Sequence, residues 1–178
     1  RDRLKSYNIV GVDVHKPSKP VCAEMGGLAV LMGFAGAFGF ASLLLRNLSY
    51  SLVSAFLTII LVGLIGIIDD IFTLRQRYKP ILVASASLPL IFASTGHSEI
   101  WFPFIGSLHF GRFYLLLVPL GVATASNLTN MLAGFNGLET GMGAITCGAL
   151  GVLCVILKRW DAALLAFSLF AASLGFLK

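Results

Sequence analysis

Charge is scarce in this chain. Asp, Glu, Lys and Arg make up 12% of the 178 residues, whereas 57% are hydrophobic and the mean hydropathy is +0.91. Soluble domains carry roughly 25% charged residues, so this composition excludes an ordinary soluble domain and predicts a polytopic membrane protein. The net charge of +5 is spread over short loops and forms no continuous patch. That distribution indicates membrane topology and argues against a nucleic-acid partner.

Cysteine is also rare. The three cysteines, Cys22, Cys147 and Cys154, show no CxxC spacing, and the last two lie inside an apolar run. Cysteine in such a run behaves as a small hydrophobic residue. The cysteines therefore indicate neither a metal site nor a redox compartment.

Long apolar runs are abundant instead. Six can be drawn, at residues 28–45, 51–68, 80–95, 113–126, 143–157 and 162–177. Each is near the length of about 17 to 25 residues that spans a bilayer, although the fourth is short unless it continues through Asn130. The fold class predicted is all-α, a polytopic transmembrane bundle of about six helices.

The basic residues predict the orientation of this bundle. Alternating crossings place residues 1–25, 69–79 and 127–141 on one face, which holds nine Lys and Arg when Lys178 is included, against four on the other face. The positive-inside rule makes the first face cytoplasmic.

Small residues recur along the apolar runs. Examples are Gly33, Gly36 and Gly39, and the pair Gly137 and Gly141. Close helix packing in lipid explains such spacing better than a cofactor-binding loop does.

Two adjacent acids end the second apolar run. Asp69 and Asp70 close a stretch in which nothing after Ser54 is more polar than Thr58. A carboxylate in hydrocarbon costs several kcal/mol on insertion scales, about 2.5 to 3.5, so a partner must stabilise it. Neighbouring helical side chains point about 100° apart, so we expect one acid to meet a cation and the other a neighbouring helix or a basic side chain. The alternative is a stop-transfer boundary with solvated carboxylates.

The stretch SNLTNMLAGFNGLETG, residues 126–141, carries amides. Asn127, Asn130 and Gly134 share one helical face, and Asn136 and Glu139 follow the expected helix end. Amide oxygens beside a glycine-rich exit offer neutral metal ligands and room for a ligand near the backbone. Hydrogen bonding between helices is the alternative.

A third polar stretch, GVDVHKPSKPVCAEMGG at residues 11–27, is a basic, proline-stiffened loop that could act in topology alone. All three stretches fall on the same predicted face. Acids and amides suit Mg²⁺, and lysines suit phosphates. Together they predict a site for a metal and a lipid-borne phosphate at the membrane surface.

Three motifs in this order carry a resemblance to a known family. They are DVHKPSKP followed by EMGG, IIDDIFTLRQRYK, and NLTNMLAGFNGLETG. Jointly they resemble the polyprenyl-phosphate N-acetylhexosamine-1-phosphate transferases, the glycosyltransferase 4 family of multi-spanning enzymes. The last motif looks like the eukaryotic and archaeal branch, which acts on dolichyl phosphate. Bacterial relatives usually have Asp at the positions of Ala133 and Asn136, which argues against the alternative, a bacterial undecaprenyl-phosphate enzyme.

The resemblance implies a reaction. GlcNAc-1-phosphate passes from UDP-GlcNAc to a dolichyl or other polyprenyl phosphate, giving GlcNAc-diphospho-lipid and UMP, the first step of lipid-linked N-glycan assembly. It implies Mg²⁺ as cofactor and the lipid bilayer as surroundings, and it allows a homodimer. The active site would face the cytoplasm, in an archaeal-type cell membrane or, in a eukaryote, the endoplasmic reticulum membrane.

The resemblance also implies residue roles. Asp69 and Asp70 match the catalytic acidic pair, and Lys79 matches a catalytic contact to the donor pyrophosphate. Asn130, with Asp70, matches the metal site. The substrate-binding positions are Lys79, Val14, Glu24, Gly134 and Asn136, the last at the uracil.

By the same resemblance, residues 1–178 are expected to be a partial transmembrane catalytic domain, incomplete at both ends, without the loop that selects the sugar. Positioning and charge neutralisation are expected to dominate, so direct attack on the β-phosphorus is favoured over an aspartyl-phosphate intermediate. Two other classes compete with the enzyme. A transporter would place ionisable groups near helix centres, and a structural subunit leaves the asparagines unexplained.

Overall fold

The computed structural model describes residues 10–12, 21–23, 26–44, 48–72, 74–93, 99–102, 104, 106–131 and 137–177. Seven α-helices dominate this part of the chain. They are α1 (Gly26–Leu44), α2 (Tyr50–Phe72), α3 (Lys79–Ser85), α4 (Leu88–Phe92), α5 (Tyr114–Met131), α6 (Leu138–Ile156) and α7 (Trp160–Leu177). A 3₁₀ turn at Gly111–Phe113 precedes α5. The predicted all-α membrane bundle is confirmed.

Two short hairpins accompany the helices. Strand β1 (Val10–Val12) pairs antiparallel with β2 (Val21–Ala23), with Gly11 opposite Cys22. Strand β3 (Glu99–Phe102) pairs with β4 (Gly106–His109), with Trp101 opposite Ser107. The sequence had indicated only connecting loops at both places.

Four helices are long and apolar enough to cross a membrane: α2, α6, α7 and residues Gly26–Leu43 of α1. Only 11 to 17% of the residues in each such span are buried inside the protein. Large apolar side chains face outward, including Leu43, Phe72 and Ile145. An exposed apolar surface of this extent suits hydrocarbon as its solvent.

The third apolar segment departs from the prediction of one helix over residues 80–95. It forms α3 and α4, with Ala86 and Ser87 in a turn between them. Pro89 has no N–H and its ring conflicts with the carbonyl group of Ser85, which interrupts the helix at this point. The Ser87 hydroxyl donates to the Ala84 carbonyl at 2.7 Å, so this carbonyl has a hydrogen-bond partner at the break.

Two other helix boundaries differ from the predicted ones. The fourth segment does continue through Asn130, because α5 ends at Met131. Helix α6 begins at Leu138, five residues before the predicted start at Gly143. Gly137 precedes it with φ of 81°, a left-handed conformation that favours glycine.

The helices pack through aromatic and glycine contacts. Phe38 of α1 stacks on Phe56 of α2 with ring centroids 4.0 Å apart, and Phe34 is fully buried beside them. The most extensive helix interface joins α6 to α7, and α7 also packs on α1.

The predicted glycine packing is only partly right. A methyl group at Gly33 would touch the Ala172 side chain at 3.4 Å, but at Gly36, Gly39 and Gly141 it would meet nothing within 4 Å. The tight positions lie elsewhere, as at Gly151. There an added methyl would lie 2.8 Å from the Phe167 ring.

Candidate functional site

Polar side chains from five helices meet in a cavity of about 420 Å³, which we call the acidic cavity. It lies at the end of the bundle where α2 and α5 finish and α3 and α6 begin. Its polar lining consists of Asp69, Asp70, Lys79, Ser126, Asn130, Glu139, Thr140 and Ser173. The wall toward the membrane interior is apolar and includes Val62 and Leu169. The arrangement suits a ligand with a charged end and an apolar remainder.

An ion pair closes one side of the acidic cavity. Lys79 Nζ lies 2.5 Å from Asp69 Oδ2, with the lysine side chain 7% and the aspartate side chain 19% exposed. The Leu74 N–H donates to the other carboxylate oxygen, Asp69 Oδ1, at 3.0 Å. Both oxygens of Asp69 are thus engaged. The expectation that one acid would meet a basic side chain is confirmed for Asp69.

The pair follows from the local sequence. Asp69 lies in the last turn of α2, and Lys79 is the first residue of α3, after a turn at residues 76–78. Pro80 suits the first turn of α3, because its missing N–H would have no helical partner there. The tight connection returns the lysine to the aspartate ten residues earlier.

Asp70 takes a different position from its neighbour. It is exposed and lines the acidic cavity, which Asn130 reaches from α5 and Glu139 from the first turn of α6. Asp70, Lys79 and Glu139 are close enough for their charges to interact. Among the described lining residues, three carboxylates face one amine, a formal charge of −2. The cavity therefore favours a cation.

The two asparagines of α5 separate in the structure. Asn130 lines the acidic cavity, as predicted for a site residue. Asn127 is not among the lining residues, and its side-chain N–H donates to the Ala123 carbonyl of its own helix at 2.7 Å. It therefore makes neither of the two contacts that its sequence position suggested, a ligand contact or an interhelical hydrogen bond.

Four predicted substrate-binding residues, Val14, Glu24, Gly134 and Asn136, lie outside the described residues. Conversely, the structure adds cavity residues that the sequence had not singled out as site residues. Glu139 is the main one, and the glycine before α6 was the signal that could have placed it in a helix start. Ser173 lies within an apolar run, near the end of α7, and no sequence signal marks it.

The donor set suits a hard divalent cation. No group of three His, Cys, Asp or Glu side chains within the described ranges is close enough to enclose a metal ion. Mg²⁺ does not need such an enclosure, because it keeps several waters and binds one or two carboxylates together with substrate phosphates. The oxygens of Asp70 and Asn130, facing one cavity, could hold it in that way.

Comparisons with curated proteins agree on one kind of protein. The chain is 41% identical over 155 residues to a Saccharolobus solfataricus protein, covering 85% of this chain and 47% of that protein. That protein is provisionally named UDP-N-acetylglucosamine--dolichyl-phosphate N-acetylglucosaminephosphotransferase. A Dictyostelium discoideum protein with the same name, not provisional, is 29% identical over 81% of this chain and 41% of its own length.

A bacterial relative is also similar. The phospho-N-acetylmuramoyl-pentapeptide-transferase of Halalkalibacterium halodurans is 32% identical over 86% of this chain and 51% of its own length. The chain spans about half the length of the curated relatives it matches. The family model described as glycosyl transferase family 4 matches residues 52–178. Because this match covers more than half of the 178 residues, the chain belongs to glycosyl transferase family 4.

Proposed function

We propose that the protein transfers GlcNAc-1-phosphate from UDP-GlcNAc to a dolichyl-type phosphate, releasing UMP. The observation that carries this proposal is the acidic cavity, which joins Asp69, Asp70, Lys79 and Asn130 at one end of a membrane bundle. A lipid phosphate can reach that level without leaving the bilayer. The names of the relatives support the donor and the acceptor.

The reaction needs charge control more than proton transfer. The second pKa of a phosphate monoester is about 6, so the acceptor phosphate is mostly a dianion at neutral pH. Its oxygen attacks the β-phosphorus of UDP-GlcNAc in line. The new phosphorus–oxygen bond forms as the bond from the β-phosphorus to the bridging oxygen breaks, and UMP leaves with that electron pair. No general base is required.

Repulsion between the two anionic substrates is the main obstacle, and residues of this chain address it. Lys79 supplies a fixed ammonium charge, and Asp69 holds that ammonium group at the cavity wall. Asp70 and Asn130 would hold Mg²⁺, which when bound neutralises phosphate charge. Since both Asp69 oxygens are occupied, this carboxylate is poorly placed as a covalent nucleophile. The geometry thus supports direct attack.

The side of the membrane follows from charge. The nine-to-four bias in Lys and Arg supports a cytoplasmic acidic cavity. Cysteine labelling of sealed vesicles tests this in a variant without native thiols. Gln76→Cys, in the exposed turn before α3, should react only from the cytoplasmic side. Ser107→Cys, in the exposed strand β4 between α4 and α5, should react only from the other side. The reverse pattern would contradict the orientation.

A donor comparison tests the reaction itself. Full-length protein reconstituted with dolichyl phosphate and Mg²⁺ should release UMP from UDP-GlcNAc. It should release none from UDP-N-acetylmuramoyl-pentapeptide, the donor class suggested by the name of the bacterial relative. Release from the muramoyl donor alone would replace the proposed reaction with the bacterial one.

A further inference from the structure

A second cavity, of about 600 Å³, lies at the opposite end of the same helices, and we call it the basic cavity. The start of α2, the start of α5 and the connection from α6 to α7 surround it. Helix α2 has 23 residues, so it is roughly 34 Å long at the usual rise per residue. That length matches a hydrocarbon core of about 30 Å. The two cavities are therefore at the levels of opposite headgroup layers.

Two cations, Lys158 and Arg159, line the basic cavity. Asp161 also lines this cavity, and its Oδ2 accepts a hydrogen bond from Ser49 Oγ, another lining residue, at 2.5 Å. Ser49 Oγ in turn accepts from the Leu52 N–H at 3.2 Å. Within the described part of the chain, no carboxylate forms an ion pair with Lys158 or Arg159. Counting Asp161, the described lining residues carry a formal charge of +1, and both cations are exposed.

The backbone holds these cations in place. Lys158 has φ of 56°, a left-handed conformation. Its N–H donates to the Val155 carbonyl at 3.0 Å, and the Arg159 N–H donates to the Cys154 carbonyl at 2.8 Å. This is the Schellman pattern that ends a helix, usually with glycine at the left-handed position. A cation at a helix C-terminus is favoured by the helix dipole, but the dipole does not account for a cavity beside it.

The remaining lining of the basic cavity is aromatic and apolar. Trp160, 65% exposed, and Tyr114 lie at the level where such side chains anchor proteins at the membrane interface. Leu52 and Leu165 form part of the wall toward the membrane interior. A free phosphate ion could use the cations but not this wall. A lipid can use both.

We propose that the basic cavity binds the phosphate of an anionic membrane lipid through Lys158 and Arg159, with an acyl chain against the apolar wall. The proposed reaction does not use this site. The lipid belongs to the opposite leaflet from the acidic cavity and is neither donor nor acceptor. Such a lipid would join the ends of α2, α5 and α7 on that side.

The experiment uses full-length protein in nanodiscs of phosphatidylcholine with a minor fraction of phosphatidylglycerol. Native mass spectrometry of the released protein counts the phosphatidylglycerol molecules retained. The test variant is Lys158→Gly with Arg159→Gln, which removes both charges while glycine keeps the left-handed turn. The control, Arg112→Gln, removes a cation between β4 and α5 that does not line the basic cavity.

The wild type should retain phosphatidylglycerol, and the test variant should bind it about tenfold more weakly, as expected for losing two exposed ion pairs. Arg112→Gln should bind like the wild type, and excess inorganic phosphate should not displace the lipid.

Equal retention by the test variant would overturn the proposal. An equal loss in the control would reduce the effect to general surface charge, and displacement by phosphate would make this a free-anion site. A charge-preserving variant, Lys158→Arg with Arg159→Lys, should keep binding and thus exclude misfolding as the cause.

Discussion

The two ends of the bundle differ in how they manage charge. At the acidic cavity, the buried Lys79 is held by Asp69, and the surplus charge is negative. At the basic cavity, the one acid is satisfied by a serine hydroxyl, and the surplus charge is positive and exposed. The same helices supply both ends. We propose that the acidic end receives a cation together with substrate phosphates, and that the basic end receives an anionic lipid without a metal ion.

The largest expected effect comes from removing Lys79, the buried cation in the lining of the acidic cavity. Lys79→Ala leaves Asp69 half-buried without its cation, and breaking a buried pair costs about 3 to 5 kcal/mol. We expect a loss of that order in the free energy of unfolding, measured by denaturant titration in detergent. Asp69→Asn combined with Lys79→Met should recover much of it, because no unpaired charge remains. Failure of this recovery would mean that the unpaired charge of Asp69 is not the cause of the loss.

Lys79→Arg separates the role of this residue in the reaction from its role in topology. Either cation satisfies the positive-inside rule, so expression and insertion should persist. A planar guanidinium cannot replace a compact ammonium group in a buried site, so most UMP release should be lost. Arg75→Lys, in the exposed turn outside the cavity lining, is the matched control and should lose little. Equal activity of Lys79→Arg and wild type at limiting UDP-GlcNAc would return Lys79 to a purely topological role.

A smaller effect is expected along the helices that connect the two ends. In Gly151→Ala, the new methyl would lie 2.8 Å from the Phe167 ring in the interface between α6 and α7. Overpacking of this kind costs about 1 to 3 kcal/mol. Gly36→Ala is the control, because nothing lies within 4 Å of its added methyl. Thermal unfolding in detergent should show a lower midpoint for Gly151→Ala alone, and equal midpoints would contradict the packing assignment.

The smallest effect is expected at the basic end. Lys158→Gly should raise the free energy of unfolding by about 1 kcal/mol, because a left-handed residue other than glycine carries a steric cost of that order. Lys158→Ala keeps the strain and loses the favourable charge at the helix end, so it should not stabilise the protein. These free energies are measured in lipid-free detergent, so that lipid binding does not contribute. Stabilisation by both variants would point to charge rather than backbone strain.

The sequence predicted much of the acidic end for identifiable reasons. Asp69 and Asp70 end an apolar run, and Asn130 ends another, so alternating crossings placed them at one level of the membrane. It did not predict which acid meets Lys79 or that α6 begins early enough to bring Glu139 into the cavity. The first depends on the tight turn before α3, and the second on the start of α6 at Leu138 after the left-handed Gly137. Pro89 itself was a sequence signal for the break, but the continuous apolar run at residues 80–95 favoured a single helix.

The basic end was not predicted. Its lining comes from Ser49, Tyr114 and the segment around Lys158, which are far apart in the sequence and share no motif. Ser49 and Lys158 fell in short segments between the predicted runs, and Tyr114 fell at the start of the fourth run. Only the packing of α2, α5, α6 and α7 brings them together. Glycine spacing likewise suggested Gly36 and Gly39 for close packing, but which side of a helix meets a neighbour is decided by the whole bundle.

We propose that the acidic cavity, through Asp70 and Asn130, performs Mg²⁺-dependent transfer. The most direct measurement is UMP release by full-length Asp70→Ala and Asn130→Ala, reconstituted with UDP-GlcNAc and dolichyl phosphate over a Mg²⁺ titration, with Arg112→Gln as control. Each cavity variant should lose well over about 10²-fold in turnover, more than is typical of removing one charge-stabilising group, while Arg112→Gln keeps the wild-type rate. Near-normal turnover in both cavity variants would show that the acidic cavity is structural and that the reaction takes place elsewhere.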